Sequence, residues 1–168
     1  IIYDFHERRP MTKQNLSELH TLSMHEIIER YDALLFDAFG VLVRGDGPIP
    51  GANILVEELH RIEKPYAIVT NDASRLISTT EERFRNFGIS IPSSHIITSG
   101  SLIQSFVAEH QLQGARALVL GPPDSHTYAQ QAQLEVIPAQ EDEVSIDLFI
   151  LCDLPYTSWA PVLEQAIS

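Results

Sequence analysis

Asp37 closes a short apolar run, Ala33–Asp37, and opens a loop that reaches Gly40. A carboxylate at the end of a buried strand can act as a nucleophile, bind a cation, or cap its own turn. About 33 residues later a second apolar run, "YAIVT" (Tyr66–Thr70), ends in Thr70 and Asn71. A hydroxyl and unpaired backbone N–H groups at such an edge can hold a phosphate oxygen. Each half alone is an ordinary turn signal. Together, an acid on one strand end and Thr-Asn on the next outline a site for phosphoryl chemistry.

These residues need elements that carry them to a common edge. The chain has 168 residues, enough for one domain or for one domain and part of another. After a Ser23–Glu26 capping box that opens a short helix through Arg30, apolar runs alternate with amphipathic stretches. The strands expected are Ala33–Asp37, Tyr66–Thr70, "HIITS" (His95–Ser99), "ARALVLG" (Ala115–Gly121), "LEVIP" and "IDLFILC" (Ile146–Cys152). Between them lie helical patterns at "ANILVEELHRIEK", with Ile54, Leu55, Leu59 and Ile62 on one side, at "ISTTEERFRNFG", closed by Gly88, at "SLIQSFVAEHQ" and at "HTYAQQAQ"; "SWAPVLEQAIS" opens a last one. Gly40 and the Gly45/Gly47/Pro48/Pro50 cluster mark loops, and Asp46 reads as a turn residue. Such alternation predicts an α/β fold with a parallel sheet, whose ligands bind beyond the carboxyl ends of the strands.

Net charge is −12, from 11 Lys and Arg against 23 Asp and Glu. That balance argues against a nucleic-acid partner and reads as a solvated acidic surface. No apolar run approaches the roughly 20 residues of a membrane span. The lone cysteine, Cys152, rules out an intrachain disulfide and a multi-cysteine metal cluster. It reads as a buried thiol, and its solitude fits a reducing, cytoplasmic setting. The seven histidines show no metal-type spacing.

"LLFDAFGVL" resembles the first motif of the haloacid dehalogenase (HAD) superfamily, a hydrophobic strand followed by Asp-x-Asp-Gly-Thr/Val. "YAIVTNDASR" resembles the second, a strand followed by Thr/Ser-Asn. The segment through "NFGISIPSSHIITSG" is similar to the class IIA branch, the NagD-like and 4-nitrophenylphosphatase-like hydrolases, and the resemblance runs from about Tyr31 to the end. It implies a HAD-like (Rossmannoid) parallel core with helices on both faces and the start of an α/β type II cap. The expected division is an N-terminal extension over 1–30, the first part of the core over 31–113, and an incomplete cap over 114–168.

The resemblance also implies roles. Asp37 would attack phosphorus and form an aspartyl-phosphate. Mg²⁺ would be held by the Asp37 carboxylate and the Phe39 backbone carbonyl. Thr70, Asn71 and Gly40 would cradle the phosphate of a small phosphorylated substrate, with Arg75 orienting the second-motif loop and Asp153 facing the site from the cap. Two departures stand out. Phe39 replaces the acid that protonates the leaving group and activates water. The only lysines, Lys13 and Lys64, precede the second motif, and no late Gly-Asp-x-x-x-x-Asp array follows. The expectation is therefore the N-terminal part of a longer hydrolase, with exposed apolar faces that favour a homo-oligomer. The alternatives are a degenerate domain that binds without turnover, and a dehalogenase- or phosphonatase-type activity. The short interval between Gly40 and Thr70 leaves no room for the cap those last enzymes carry.

Overall fold

The computed structural model describes residues 22–138 and 145–152. They fall into two units, divided between Asp32 and Ala33.

In the first unit, α1 (Met24–Arg30) is a single short helix. Its start is the capping box the sequence predicts. The Glu26 amide donates to the Ser23 hydroxyl at 3.3 Å, and the Ser23 amide donates to the Glu26 carboxylate at 2.7 Å. Two backbone donors that the first turn leaves orphaned are satisfied in this way.

The second unit holds the remaining elements. They are β1 (Leu34–Phe36), β2 (Val43–Arg44), β3 (Gly47–Pro48), α2 (Ala52–Arg61), β4 (Tyr66–Thr70), α3 (Ile77–Asn86), β5 (Ile96–Thr98), α4 (Ile103–Glu109), β6 (Arg116–Leu120), α5 (Pro123–Gln131), β7 (Glu135–Ile137) and β8 (Leu148–Leu151). Two parallel three-stranded sheets result, with orders β1-β4-β5 and β7-β6-β8. The α/β class expected from the alternating pattern is the one found.

The first sheet carries the candidate site. Its register sets Leu34 beside Tyr66 and Ile68 beside Ile96. Leu34, Tyr66, Ile68, Ile96 and Thr98 therefore share one face, and all are buried. Both crossovers, β1–α2–β4 and β4–α3–β5, step in the same direction, and right-handed crossovers then put α2 and α3 on that same face. The buried Val56 and Leu59 of α2 and Phe84 of α3 belong to this layer. Leu35, Val69 and Ile97 point the other way and stay exposed. The helix stripe differs from the expected one. Ala52, Val56 and Leu59, spaced i, i+4, i+7, are the buried residues of α2, whereas Ile54 is 66% exposed.

The second sheet has its own core. Val107 of α4, Ala117 and Val119 of β6, Ala129 and Ala132 of α5, Leu134 and Cys152 form one buried cluster. Full burial of a medium-sized aliphatic side chain contributes about 1.5–3 kcal/mol. Two further features refine the sequence reading. The Gly45/Gly47 region is not plain loop: β2 and β3 pair antiparallel, with Val43 opposite Pro48 and Arg44 opposite Gly47. And α5 begins at Pro123 rather than at His126, because a proline fits the first helical turn, where its missing N–H has no partner to lose.

Candidate active site

Asp37 follows β1 directly and is exposed at the carboxyl end of the sheet. Its Oδ1 accepts the Ala38 N–H at 2.7 Å, which orients the carboxylate while leaving the second oxygen open. The loop after it is held by its own backbone. Gly40 N–H donates to Val43 O at 2.8 Å, and the Leu42 and Val43 amides both donate to Ala38 O at 3.0 Å. Gly40 sits at φ +83°, a left-handed conformation that a side chain disfavours, so this turn requires glycine. Phe39 is 66% exposed. Its carbonyl accepts none of the loop's backbone hydrogen bonds among the described residues.

Thr70 ends β4, the strand beside β1, and is buried. Ser99 braces this edge from β5: its amide donates to Thr70 O at 3.0 Å and its hydroxyl to Asn71 O at 2.8 Å. Asp37, Thr70, Asn71 and Ser99 line one open cleft of about 500 Å³, whose apolar lip is Val69, Ile97 and Leu102. The strand ends thus bring together the acid and the Thr-Asn pair that the sequence singles out.

The loop after Thr70 is held differently. Asp72 accepts from the Ser74 amide at 2.7 Å and from Arg75 Nη1, also at 2.7 Å. Burial works against its charge, but the bonds from Ser74 and Arg75 outweigh that and hold the carboxyl below its ordinary range. Arg75 also donates to the Ser74 hydroxyl at 3.2 Å, so it ties the loop together. A second set of bonds comes from α5, which the sequence reading did not foresee. Asp124 accepts from the Leu76 amide at 2.9 Å and from the Thr79 hydroxyl at 2.8 Å, and so caps α3 from outside. The Ser125 hydroxyl donates to Ala73 O at 2.8 Å, and the Tyr128 hydroxyl donates to Arg75 O at 2.9 Å. Tyr128 also meets the Thr98 hydroxyl at 2.9 Å. Gly100 makes room for that ring, since a Cβ there would lie 2.4 Å from it.

Cys152 is buried in the second core, and burial pushes its thiol up, only partly offset by Ser125. It is a neutral packing residue, as expected. Asp46 sits on the β2–β3 turn, exposed and 3.4 Å from Arg44. Asp153, the remaining sequence candidate, lies outside the described residues.

Among the described residues no group of three or more His, Cys, Asp or Glu side chains could hold a metal alone. The Asp37 carboxylate and the open Phe39 carbonyl are hard oxygen donors two positions apart in sequence. That set suits Mg²⁺, which keeps several waters and completes its shell with substrate phosphate oxygens. No helix among the described residues is long and apolar enough to cross a membrane.

A parallel α/β sheet presenting a carboxylate and a Thr-Asn pair at adjacent strand ends defines the general class. Residues 34–135 match the model of the haloacid dehalogenase-like hydrolases, and the chain belongs to that family. It is 32% identical over 110 residues to a glycerol-3-phosphate phosphatase of Gallus gallus, covering 65% of this chain and 34% of that protein. It is 25% identical over 146 residues to a D-glycerol 3-phosphate phosphatase of Mycobacterium tuberculosis, covering 86% and 40%. Among solved structures, a possible sugar phosphatase of Cytophaga hutchinsonii superposes with a TM-score of 0.76 at 26% identity, covering 88% of this chain and 54% of that one. The glycerol phosphate phosphatase of M. tuberculosis in complex with magnesium superposes with a TM-score of 0.67 at 25% identity, covering 84% and 42%. The chain thus spans well under two thirds of the length of these relatives.

Proposed function

We propose that the full-length protein is a phosphatase-like hydrolase of small phosphorylated metabolites and that Asp37 is its nucleophile. One observation carries this reading: Asp37, Thr70 and Asn71 end neighbouring parallel strands and line a single open cleft. The Asp37 carboxylate attacks phosphorus, a new O–P bond forms, the ester O–P bond breaks, and the alkoxide leaves, taking its proton from water. The Thr70 hydroxyl and the Phe39 and Asn71 N–H groups hold the phosphoryl oxygens, since the Ala38 and Gly40 N–H groups already donate to Asp37 Oδ1 and Val43 O. Water then cleaves the aspartyl-phosphate, regenerating Asp37 and releasing phosphate. Mg²⁺, held by the Asp37 carboxylate and the Phe39 carbonyl, would neutralise phosphoryl charge. The magnesium complex of the mycobacterial relative supports that choice of ion.

Phe39 bears on the rate. The leaving alkoxide needs a proton and the hydrolytic water needs a base, and a phenyl ring supplies neither. This favours a second reading, in which the site binds a phosphorylated ligand and turns it over slowly or not at all. A phosphate-ester panel that includes glycerol phosphates and sugar phosphates decides between the two. Turnover that disappears in Asp37→Asn supports the enzyme. Ligand-induced thermal stabilisation without phosphate release supports the binding module.

A further inference from the structure

A second cavity adjoins the cleft. It has a volume of about 580 Å³ and shares Thr70 and Asn71 with it, but opens on the side of Phe39, Arg75, Thr80 and Arg83. Two guanidiniums therefore border one small space. Arg75 is neutralised by Asp72 at 2.7 Å. Arg83 forms no ion pair among the described residues; it lies over the Phe87 ring at 5.4 Å. Its neighbour on α3, Glu81, is engaged elsewhere, by Arg85 and by the Ser93 hydroxyl. Burial, and then the positive field of Arg75, disfavour the Arg83 charge, with Asp72 opposing them. A second, independent sign is Thr80. It lines the same cavity and is only 6% exposed, yet its hydroxyl has no hydrogen-bond partner among the described residues. Buried hydroxyls are ordinarily satisfied, and leaving one unpaired costs about 1–3 kcal/mol. A half-buried cation without a counter-ion is completed by an anion, and the orphaned Thr80 hydroxyl, closed off from solvent as it stands, would gain the same partner by turning toward it. The planar guanidinium fork suits a carboxylate or a phosphate.

We propose that the cavity walled by Arg83, Arg75 and Thr80 is a second anion site, taking a carboxylate or phosphate borne by the same molecule whose phosphoryl group lies between Asp37 and Thr70. The proposal rests on the phosphoryl-site reading above and narrows its substrate class to doubly acidic metabolites. Against a net charge of −12 over the whole chain, the cavity's Arg75, Arg83 and Asp72 leave one unneutralised cation, a local charge rather than part of a general basic surface.

The test uses the full-length protein and phosphonates that cannot be hydrolysed, so that binding is read without turnover. Propylphosphonate, 3-phosphonopropionate and propane-1,3-bisphosphonate are titrated calorimetrically. The wild type is expected to bind one bifunctional probe about tenfold more tightly than propylphosphonate. The preferred probe tells carboxylate from phosphate. In Arg83→Gln the preference should shrink to about twofold or less, with partial recovery in Arg83→Lys, and Thr80→Val should reduce it. Arg85→Gln, whose side chain is exposed and paired with Glu81, should retain it. If Arg83→Gln does not fold, the Arg83→Lys and Thr80→Val arms carry the test. Equal affinity for all three probes overturns the second site and leaves the phosphoryl site standing. Binding of none overturns both, and a preference unmoved by the Arg83 and Thr80 variants overturns the assignment.

Discussion

The two loops that meet at the candidate site are built on opposite principles. The loop after β1 is hydrogen-bonded through its backbone, by the Gly40, Leu42 and Val43 amides; it buries Ala38 and Leu42 and leaves Phe39 largely exposed. The loop after β4 is fixed by side chains, through Asp72 and Arg75 from within and through Asp124, Ser125 and Tyr128 from α5. The first can therefore carry Phe39 in place of an acid with little disturbance to the fold, because that side chain is largely exposed. The second tolerates no such freedom. Function and stability are separable in one loop and tied together in the other.

The largest expected effect tests the first half of that contrast. Asp37→Asn should bring phosphate release by the full-length protein to background while the thermal midpoint stays put, since among the described residues its carboxylate accepts only the next amide. Phe39→Asp comes next. Turnover should rise by about 10²-fold, the low end of what a general acid–base group supplies, again with an unchanged melting curve. A gain in activity accompanied by lost stability would break the comparison.

The other loop should respond in stability. Gly100→Ala drives a methyl into the Tyr128 ring and should cost about 1–3 kcal/mol in denaturant titration. Tyr128→Phe removes a donor to Arg75 O and should cost about 1 kcal/mol. The smallest effect is a pH dependence. The Asp72 carboxyl lies below its ordinary value when folded, so its stabilisation is present above the usual carboxylate range and fades as pH falls through the folded value. Asp72→Asn should flatten that part of the stability profile below about pH 4. A profile unchanged by the substitution would show that the loop does not depend on this charge.

The same contrast explains what the sequence discloses. Asp37, Gly40, Thr70 and Asn71 were legible because each is local: an apolar run, its last residue, and a turn former. The parallel pairing follows from the alternation of apolar and amphipathic runs. The buried stripe of α2 was misjudged because Ile54 is apolar yet faces solvent, and hydrophobicity alone does not fix helical phase. The β2–β3 hairpin was hidden because its strands are two residues each, too short for any period. Asp124 and Ser125 fall before the helix expected from His126 and read as part of the connection that leads to it. Their partners, Leu76, Thr79 and Ala73, lie some 45–52 positions upstream, a separation no local pattern reports. Arg83 likewise looks like one more charge on an exposed helix until Thr80 and Arg75 are placed beside it.

The exposed face of β1-β4-β5 has a consequence for how the protein is made. Among the described strands β1 is an edge, and Leu35, Val69 and Ile97 lie wet beside it. The strand that delivers Asp37 is therefore also one of the two edges among the described strands of this sheet, with open backbone groups and an apolar flank. During synthesis, this is the surface a chaperone would have most reason to shield, and the nucleophile's own strand is the first place where a nascent chain could pair with the wrong neighbour.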